Sequence, residues 1–490
     1  MDEQPTLPAD VRVSLPPVVQ AYLAYQETQI ALLREQIVAW QSQLGKLQLQ
    51  LADAKGRKLP HSGNSSRPPS SDPPDAPARP KRPPSGRKRG GQPGHRGHQR
   101  IQLTEEDLAA IVPHRPHQCP ACTFPLADDL PTEGNPQRIQ VWEIPPIHPE
   151  VSEHRGYAVR CPHCDVLVPA PDLPSSAFGP RLTAVGSLLT GRYRLSVRET
   201  AGVFDDLLGV PVGIGSVSGL CREVSAAVAE PYEAVQEAVH EQETVNVDET
   251  GGKQAGDRRW LWVALTTLGT LFLVAQSRSA KVLTLLLGEN YPGIVGSDRY
   301  RAYLSIPTDR RQICWAHLKR DLAAFAEHGG PVGDWGKEGI GFLTKIFAAW
   351  HRFQDGTGDR SGLHAQIDLI RQDFRAFLER GTEVPSWKVR GFSADLRKLE
   401  SALRTFASVE GVEPTNNAAE RALRPAVLWR KGCFGADSDD GNQFVARILT
   451  IAATCRQQKR QLLTYLTESV TAHRSGYPVP SLVAAPRPVG

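Results

Sequence analysis

Thr244-Val245-Asn246-Val247-Asp248-Glu249-Thr250-Gly251-Gly252-Lys253 opens the stretch that decides the fold, and Gly293-Ile294-Val295-Gly296-Ser297-Asp298 closes it. Each is a short run rich in β-branched residues that reaches an aspartate, the pattern of a strand with a carboxylate at its end. Glu249 to Lys253 reads as a turn. Between the two runs, Arg259-Trp260-Leu261-Trp262-Val263-Ala264-Leu265 and Leu271-Phe272-Leu273-Val274-Ala275 predict two more strands around a turn at Gly269. Ala280 to Leu287 predicts a helix. The order is strand, strand, strand, helix, strand. Glu249 adjoins Asp248, but neighbouring strand side chains point to opposite faces, so it is set aside.

A third carboxylate stands on a predicted helix, Glu420 in Thr415-Asn416-Asn417-Ala418-Ala419-Glu420-Arg421. Two strand-borne aspartates and a helix-borne glutamate suit a pair of hard divalent cations, two Mg²⁺ or Mn²⁺, held by oxygen. Such a pair clamps the attacking and leaving oxygens of an in-line phosphoryl displacement. An RNase H-like α/β core carries this set. On spacing alone, Glu420 equally suits a surface pair with Arg424 four residues on, and the aspartates suit strand-end turns. Arg421, Arg424, Arg430, Lys431 and Arg447 form a cationic cluster for phosphate. Trp429 suits either stacking on a base or core packing.

Upstream, Cys119-Pro120-Ala121-Cys122 and Cys161-Pro162-His163-Cys164 are two knuckles whose four thiolates would close one structural Zn²⁺ site. Residues 138–144 and 154–160 read as strands that bring the knuckles together. Cys221, Cys314, Cys433 and Cys455 are scattered and read as packing residues. Eight cysteines with four in close pairs indicate a reducing compartment. In residues 57–100, eleven lysines and arginines face two aspartates, Asp72 and Asp75, a local +9 in a chain of net +4. That segment has almost no large apolar residues, so it is expected to be a disordered basic arm. It would contact phosphates without reading sequence, chiefly through Arg87, Lys88, Arg89 and Arg96. A solvated linker is the plainer reading.

Leu23, Ile30, Ile37, Leu44 and Leu51 recur every seventh residue, with Leu33, Trp40 and Leu47 between them and Gln26 as the polar exception. This seam predicts a coiled coil and a homodimer, although Gly45 costs about 1 kcal/mol of helix stability. Arg198 to Leu220 suits a helix-turn-helix, with Ser216 capping the second helix and Ser218 and Arg222 presented to a groove. An ordinary helical bundle suits it equally. Residues 316–410 read as helices inserted between Asp298 and Glu420. Trp335, Trp350 and Trp387 there suit DNA contact or packing, and His317 is a candidate neighbour of the active site. The longest apolar stretch, Trp260 to Ala275, is too short and polar for a membrane span. The acidic opening Met1-Asp2-Glu3 carries no apolar signal core.

The chain resembles the DDE transposases of the bacterial insertion-sequence-66 family. The resemblance rests on Asn64-Ser65-Ser66-Arg67-Pro68-Pro69-Ser70-Ser71-Asp72, Gly90-Gly91-Gln92-Pro93-Gly94-His95-Arg96-Gly97-His98 and the two knuckles. It continues through Asp248-Glu249-Thr250, Ser297-Asp298-Arg299-Tyr300, Cys314-Trp315-Ala316-His317-Leu318-Lys319-Arg320 and Asn416-Asn417-Ala418-Ala419-Glu420-Arg421. These words run through nearly the whole chain. The resemblance implies that Asp248, Asp298 and Glu420 are the catalytic triad of an enzyme that cleaves insertion-sequence ends and transfers the 3′-hydroxyl into target DNA. It also implies accessory proteins from the same element and a bacterial, cytoplasmic, nucleoid-associated setting. A DNA-binding regulator with an inactive core, or a nuclease that cuts without joining, are the alternatives.

The expected architecture is multidomain α+β. It comprises a coiled-coil helix over 15–56, the basic arm over 57–100 and a zinc module over 101–170. A helical DNA-binding region over 171–240, an RNase H-like core over 241–450 with its helical insertion, and a C-terminal helix and tail over 451–490 follow.

Overall fold

The structure, a computed structural model, describes residues 9–56, 60–65, 72, 100–433 and 435–483. Arg87, Lys88, Arg89 and Arg96 lie outside the described residues. The chain divides into a small unit, residues 78–151 with 207–209, and a large unit that contains the rest.

The large unit is built on a five-stranded sheet of order β5-β4-β3-β6-β7. Its strands are β3 (Thr244–Gln254), β4 (Asp257–Leu265), β5 (Thr270–Ala275), β6 (Ile294–Ser297) and β7 (Arg311–Ile313). β3, β4 and β5 form an antiparallel meander, while β6 and β7 continue parallel to β3. β3 is longer than its sequence suggests. Glu249 to Gln254 is not a turn but stays paired with β4 as far as Gln254↔Asp257. The turn falls at Ala255 and Gly256, which both take positive φ, the geometry a two-residue hairpin requires. Gly251 pairs with Trp260 across the hairpin, and a Cβ there would stand 4.0 Å from the edge of that ring. β7 was not legible in the sequence, being three residues of which two, Arg311 and Gln312, are polar yet buried.

Alternation along β3 buries Val245 and Val247 in the core with Trp262, Val263, Leu271, Phe272 and Val295. α7 (Ala280–Leu287) contributes Val282, Leu283 and Leu286 to the same core. α14 (Asp439–Gln457) packs on the edge strand β5, where Thr450 and Thr454 accept the backbone N–H groups of Phe272 and Thr270 at 2.9 and 3.2 Å. Helices α3 (Pro180–Ser187), α4 (Val197–Leu208), α5 (Ile214–Ala227) and α6 (Ala229–His240) precede the sheet. Cys221 and Val224 of α5 and Val235 and Val239 of α6 belong to the sheet's own core, as do Tyr465 and Leu466 of α15 (Leu462–Ser475). α5, α6 and α15 therefore share the core of the sheet. Ser216 does not cap α5: the cap position is Gly213, with no side-chain bond. Ser218 and Arg222 are exposed, as a groove-facing helix would need.

After β7 the chain leaves the sheet as α8 (Trp315–Ala326), α9 (Gly330–Gln354), α10 (Arg360–Gly381), α11 (Trp387–Lys398) and α12 (Thr405–Ser408). This insertion has a separate aromatic core. Trp335 stacks on Phe377 with centroids 4.4 Å apart, and Trp350 packs edge-on against Phe406. Both are packing residues. Trp387 is half exposed. The chain returns to the sheet through α13 (Asn417–Cys433).

α1 (Ala9–Ser14) leads into α2 (Pro17–Gly56), one helix of 40 residues that spans Gly45 without a break. Ile30, Leu33, Ile37, Trp40, Leu44, Leu47 and Leu51 are all exposed along it. Part of the expected arm is folded onto the large unit. Buried His61 donates or accepts through Nε2 at 2.8 Å from Glu327 Oε1, and Asn64 Nδ2 donates to Glu327 Oε2 at 2.7 Å. No helix among the described residues is long and apolar enough to cross a membrane.

In the small unit, residues 138–144 form no strand among the described residues, and Ile139, Val141, Trp142 and Ile144 are exposed. The first knuckle is a tight turn: Cys119 N–H donates to Phe124 O and Thr123 N–H to Cys119 O, both at 2.9 Å. The second knuckle, in the large unit, repeats this, with Cys161 N–H on Val166 O and Asp165 N–H on Cys161 O. It sits in a two-stranded hairpin of β1 (Val159–Arg160) and β2 (Leu167–Val168). That is all that forms of the strand expected over 154–160.

Candidate functional site

The parallel pairing of β3 with β6 matches Asn246 to Gly296. Continuing that register by two residues sets Asp298, just past β6, beside Asp248. Gly296 permits the close approach, because a Cβ there would lie 2.3 Å from Asn246 Oδ1. Asp298 is held by its own turn, its Oδ1 accepting the Tyr300 N–H at 2.8 Å.

α13 packs across β3 and β4. Its entry is pinned by Asn416, which is 1% exposed. Asn416 Nδ2 donates to the carbonyl of Val247 at 2.7 Å, and its backbone N–H donates to Cys314 Sγ at 3.1 Å. The carbonyl of Asn416 accepts the Glu420 N–H in the first helical turn. One buried side chain thus ties the start of the glutamate's helix to the residue before Asp248. Glu420 does not pair with Arg424. Its Oε1 accepts from Arg320 at 2.9 Å and lies 3.5 Å from His317 Nε2, both residues being on α8.

The electrostatics register the convergence of the three carboxylates. The Asp248 carboxyl is pushed up to about 8 by burial, by the neighbouring charge of Glu249 and, in smaller part, by Asp298 and Glu420. A divalent cation would relieve this repulsion, so the donor set fits one. Among the described residues, the only three potential ligands that all lie within 4.8 Å of one another are Cys314, His317 and Glu420. Asp248, Asp298 and Glu420 stand wider. A two-ion site, its metals about 3.5–4 Å apart, does not need its carboxylates in mutual contact.

The surroundings of this acidic cluster are cationic. Glu249 is on the far face of β3, as alternation requires, and is buried there between Tyr303 Oη and the Arg278 guanidinium, which both donate to it. Arg278 lies 3.9 Å from Asp298 Oδ2 and stacks over Tyr300 with its Cζ 3.5 Å from the ring centroid. Fully buried Arg311 donates to the Asp298 carbonyl at 3.2 Å. His317 is pushed below the ordinary imidazole range by burial and by the charge of Arg320, which favours its neutral form. The Cys314 thiol is pushed up by burial.

Arg421, Arg424 and Lys431 are exposed on α13, and Arg430 is partly buried near Gly251. Arg447 is not part of that face: its Nη1 donates to Ser225 O at 2.9 Å and ties α14 to α5. Trp429 packs against the main core. Sequence reasoning missed Arg278, Tyr303, Arg311, Arg320 and the role of Asn416. Arg320 and Asn416 fall inside quoted motif words; the others had no signal.

In the knuckles, the Cys119 thiol is drawn down by the N–H groups of Cys122 and Ala121, and the Cys161 thiol by those of Cys164 and His163. Backbone donors aimed at sulfur favour thiolate, the form that binds Zn²⁺.

Residues 176–444 match the Transposase IS66 family, and residues 15–101 match a family of unknown function (DUF6444). An uncharacterized protein of Sinorhizobium fredii is 24% identical over 282 residues, 51% of this chain and 51% of the relative. The chain thus spans about half the length of that curated relative. The chain belongs to the IS66 transposase family.

Proposed function

We propose that the chain is a DDE transposase whose sheet is an RNase H-like core, with Asp248, Asp298 and Glu420 as the catalytic carboxylates. It would cut the ends of an insertion sequence and join the freed 3′-hydroxyl to target DNA. The observation that carries this reading is the Asn416 bridge, which holds the helix of Glu420 on the strand of Asp248 while the β3–β6 register sets Asp298 alongside.

Asp248, Asp298 and Glu420 would hold two Mg²⁺ or Mn²⁺. When bound, these ions lower the pKa of attacking water and stabilise the leaving oxygen. The chain itself supplies the rest. Burial and the charge of Glu249 hold the Asp248 carboxyl above its ordinary range, and a cation bound there would favour its carboxylate form. Arg320, released from Glu420, is placed to meet a phosphate oxygen. Neutral His317 offers a hydrogen bond beside Glu420 without adding charge. Arg421, Arg424, Arg430 and Lys431 extend a phosphate-binding face along α13.

The four knuckle cysteines are the proposed ligands of one structural Zn²⁺. None of the large apolar side chains of residues 100–151 is buried among the described residues, and most are exposed, which accords with a segment stabilised by metal rather than by a core of its own. The exposed seam of α2 is the proposed homodimer contact, which would bring two DNA ends into one complex. Residues 57–100 would bind phosphates of any sequence, and accessory proteins of the same element would complete the assembly.

The test is a paired-end cleavage and strand-transfer assay with Asp248→Asn, Asp298→Asn and Glu420→Gln. Each should abolish both steps while DNA binding persists. Cleavage without joining by the wild type would make the chain a nuclease, and full activity of all three variants would remove the active-site assignment.

A further inference from the structure

Cys314 has no part in the proposed reaction, yet with His317 it adjoins the proposed catalytic glutamate. Cys314 is the residue before α8 and His317 lies in its first turn, so the i, i+3 spacing sets both on one face. Glu420 meets them from α13. The three donor atoms lie within 4.8 Å of one another, and His317 Nε2 is 3.5 Å from Glu420 Oε1. In a tetrahedral zinc site, with bonds of about 2.0–2.3 Å, neighbouring ligands stand roughly 3.3–3.8 Å apart. Small side-chain movements suffice to reach that geometry.

Two further observations point to a ligand. His317 Nδ1 is buried with no hydrogen-bond partner, so the ring is not committed to a structural bond at that atom. Cys314 is 1% exposed, and its sulfur is met by backbone N–H groups, those of Asn416, His317 and Ala316, the donors that favour a metal-binding thiolate. The donors are one sulfur, one imidazole nitrogen and one carboxylate oxygen. Mg²⁺ takes oxygen and leaves the first two unused, whereas Zn²⁺ takes all three and keeps a fourth position for water.

We propose that Cys314, His317 and Glu420 form a second metal site, for a thiophilic divalent cation of the Zn²⁺ class, whose occupation withdraws Glu420 from the Mg²⁺ site and arrests DNA cleavage. The Cys314 thiol loses its proton to solvent as the metal–sulfur bond forms, and no electrons are exchanged. Arg320 shares Glu420 Oε1 and must move aside or bridge the occupied site. The arrest rests on the transposase reading; the metal binding does not.

The experiment titrates the full chain with Cd²⁺, whose thiolate charge-transfer band counts sulfur ligands, and measures Zn²⁺ inhibition of Mg²⁺-supported cleavage. Cys314→Ser keeps an acceptor for the Asn416 N–H. It should remove one thiolate's share of the band and raise the half-inhibiting Zn²⁺ concentration at least about tenfold. Cys119→Ser should reduce the band without relieving inhibition, which separates the knuckles from this site. His317→Asn retains every thiol and should weaken Cd²⁺ binding at Cys314, so the test survives if Cys314→Ser fails to fold. An unchanged band in Cys314→Ser, or inhibition indifferent to that substitution, overturns the proposal. Cleavage retained in Glu420→Gln would instead remove Glu420 from the proposed Mg²⁺ site, and with it the arrest, and leave the Cd²⁺ titration standing.

Discussion

The strand end that carries Asp248 and the helix that carries Glu420 serve one proposed reaction with opposite electrostatics. Asp248 receives the N–H of Glu249, lies among other carboxylates, and has its carboxyl pushed up to about 8. Glu420 is a third exposed and already answered by Arg320 and His317. The strand side is strained by its charge and waits for cations. The helix side is neutralised by the protein and must give up a partner to receive them. Folding therefore places the donors, and in the proposed reaction a cation would supply the stability that one half lacks.

The largest effect expected is on activity, where the comparison should vanish. Asp248→Asn, Asp298→Asn and Glu420→Gln should each lower cleavage on the order of 10³-fold or more, and double variants should be no worse, because the carboxylates act as a unit. Unequal or additive losses in single-turnover assays would separate the two halves chemically.

The next effect is on metal-free stability, where the halves should diverge. The folded pKa of Asp248 is raised above the ordinary value near 3.9, so its contribution to stability is full below about pH 4 and is lost as pH rises through about 8. Asp248→Asn should flatten that decline and raise Tm at pH 8 by several degrees, at about 2–4 °C per kcal/mol. Mg²⁺ should achieve the same in the wild type. Calorimetry showing a Tm independent of pH between 5 and 8 in metal-free protein would break the contrast.

Asn416 joins the two halves, and its loss should cost less. Asn416→Ala strands the Val247 carbonyl and should destabilise the protein by about 1–3 kcal/mol. It should also lower the affinity for Mn²⁺, measured by titration, because Glu420 is no longer held over Asp248. Unaltered Mn²⁺ affinity would show that α13 is positioned by packing alone.

The smallest effect should come from the helix side. Arg320→Met removes a partly exposed pair worth about 0–1 kcal/mol, so Tm should scarcely change. Mn²⁺ should then bind more tightly, since Glu420 no longer has a competing cation, while cleavage falls. Weaker Mn²⁺ binding would mean that Arg320 organises the site rather than guarding it.

Much of this was legible because it depends on local pattern. The β-branched runs before Asp248 and Asp298, the helix over 280–287 and the heptads of residues 23–51 state their elements through periodicity alone. The paired glycines after Asp248 misled, because a turn signal yields when a cross-strand tryptophan and a closed hairpin favour continued pairing. The strand expected at 138–144 did not form among the described residues, for alternation makes a strand only where another strand can pair with it.

By itself, then, the sequence determined which residues are able to be ligands and on which elements they ride, since side-chain chemistry and backbone preference are local. Only the tertiary structure decided that Glu420 answers to Arg320 of an inserted helix, that a buried asparagine fastens its helix beside Asp248, and that helices before and after the sheet share its core. Those outcomes depend on contacts between residues about 100 to 250 positions apart. Hydrophobic burial and hydrogen-bond satisfaction choose such contacts over the whole chain, and no window of sequence contains them.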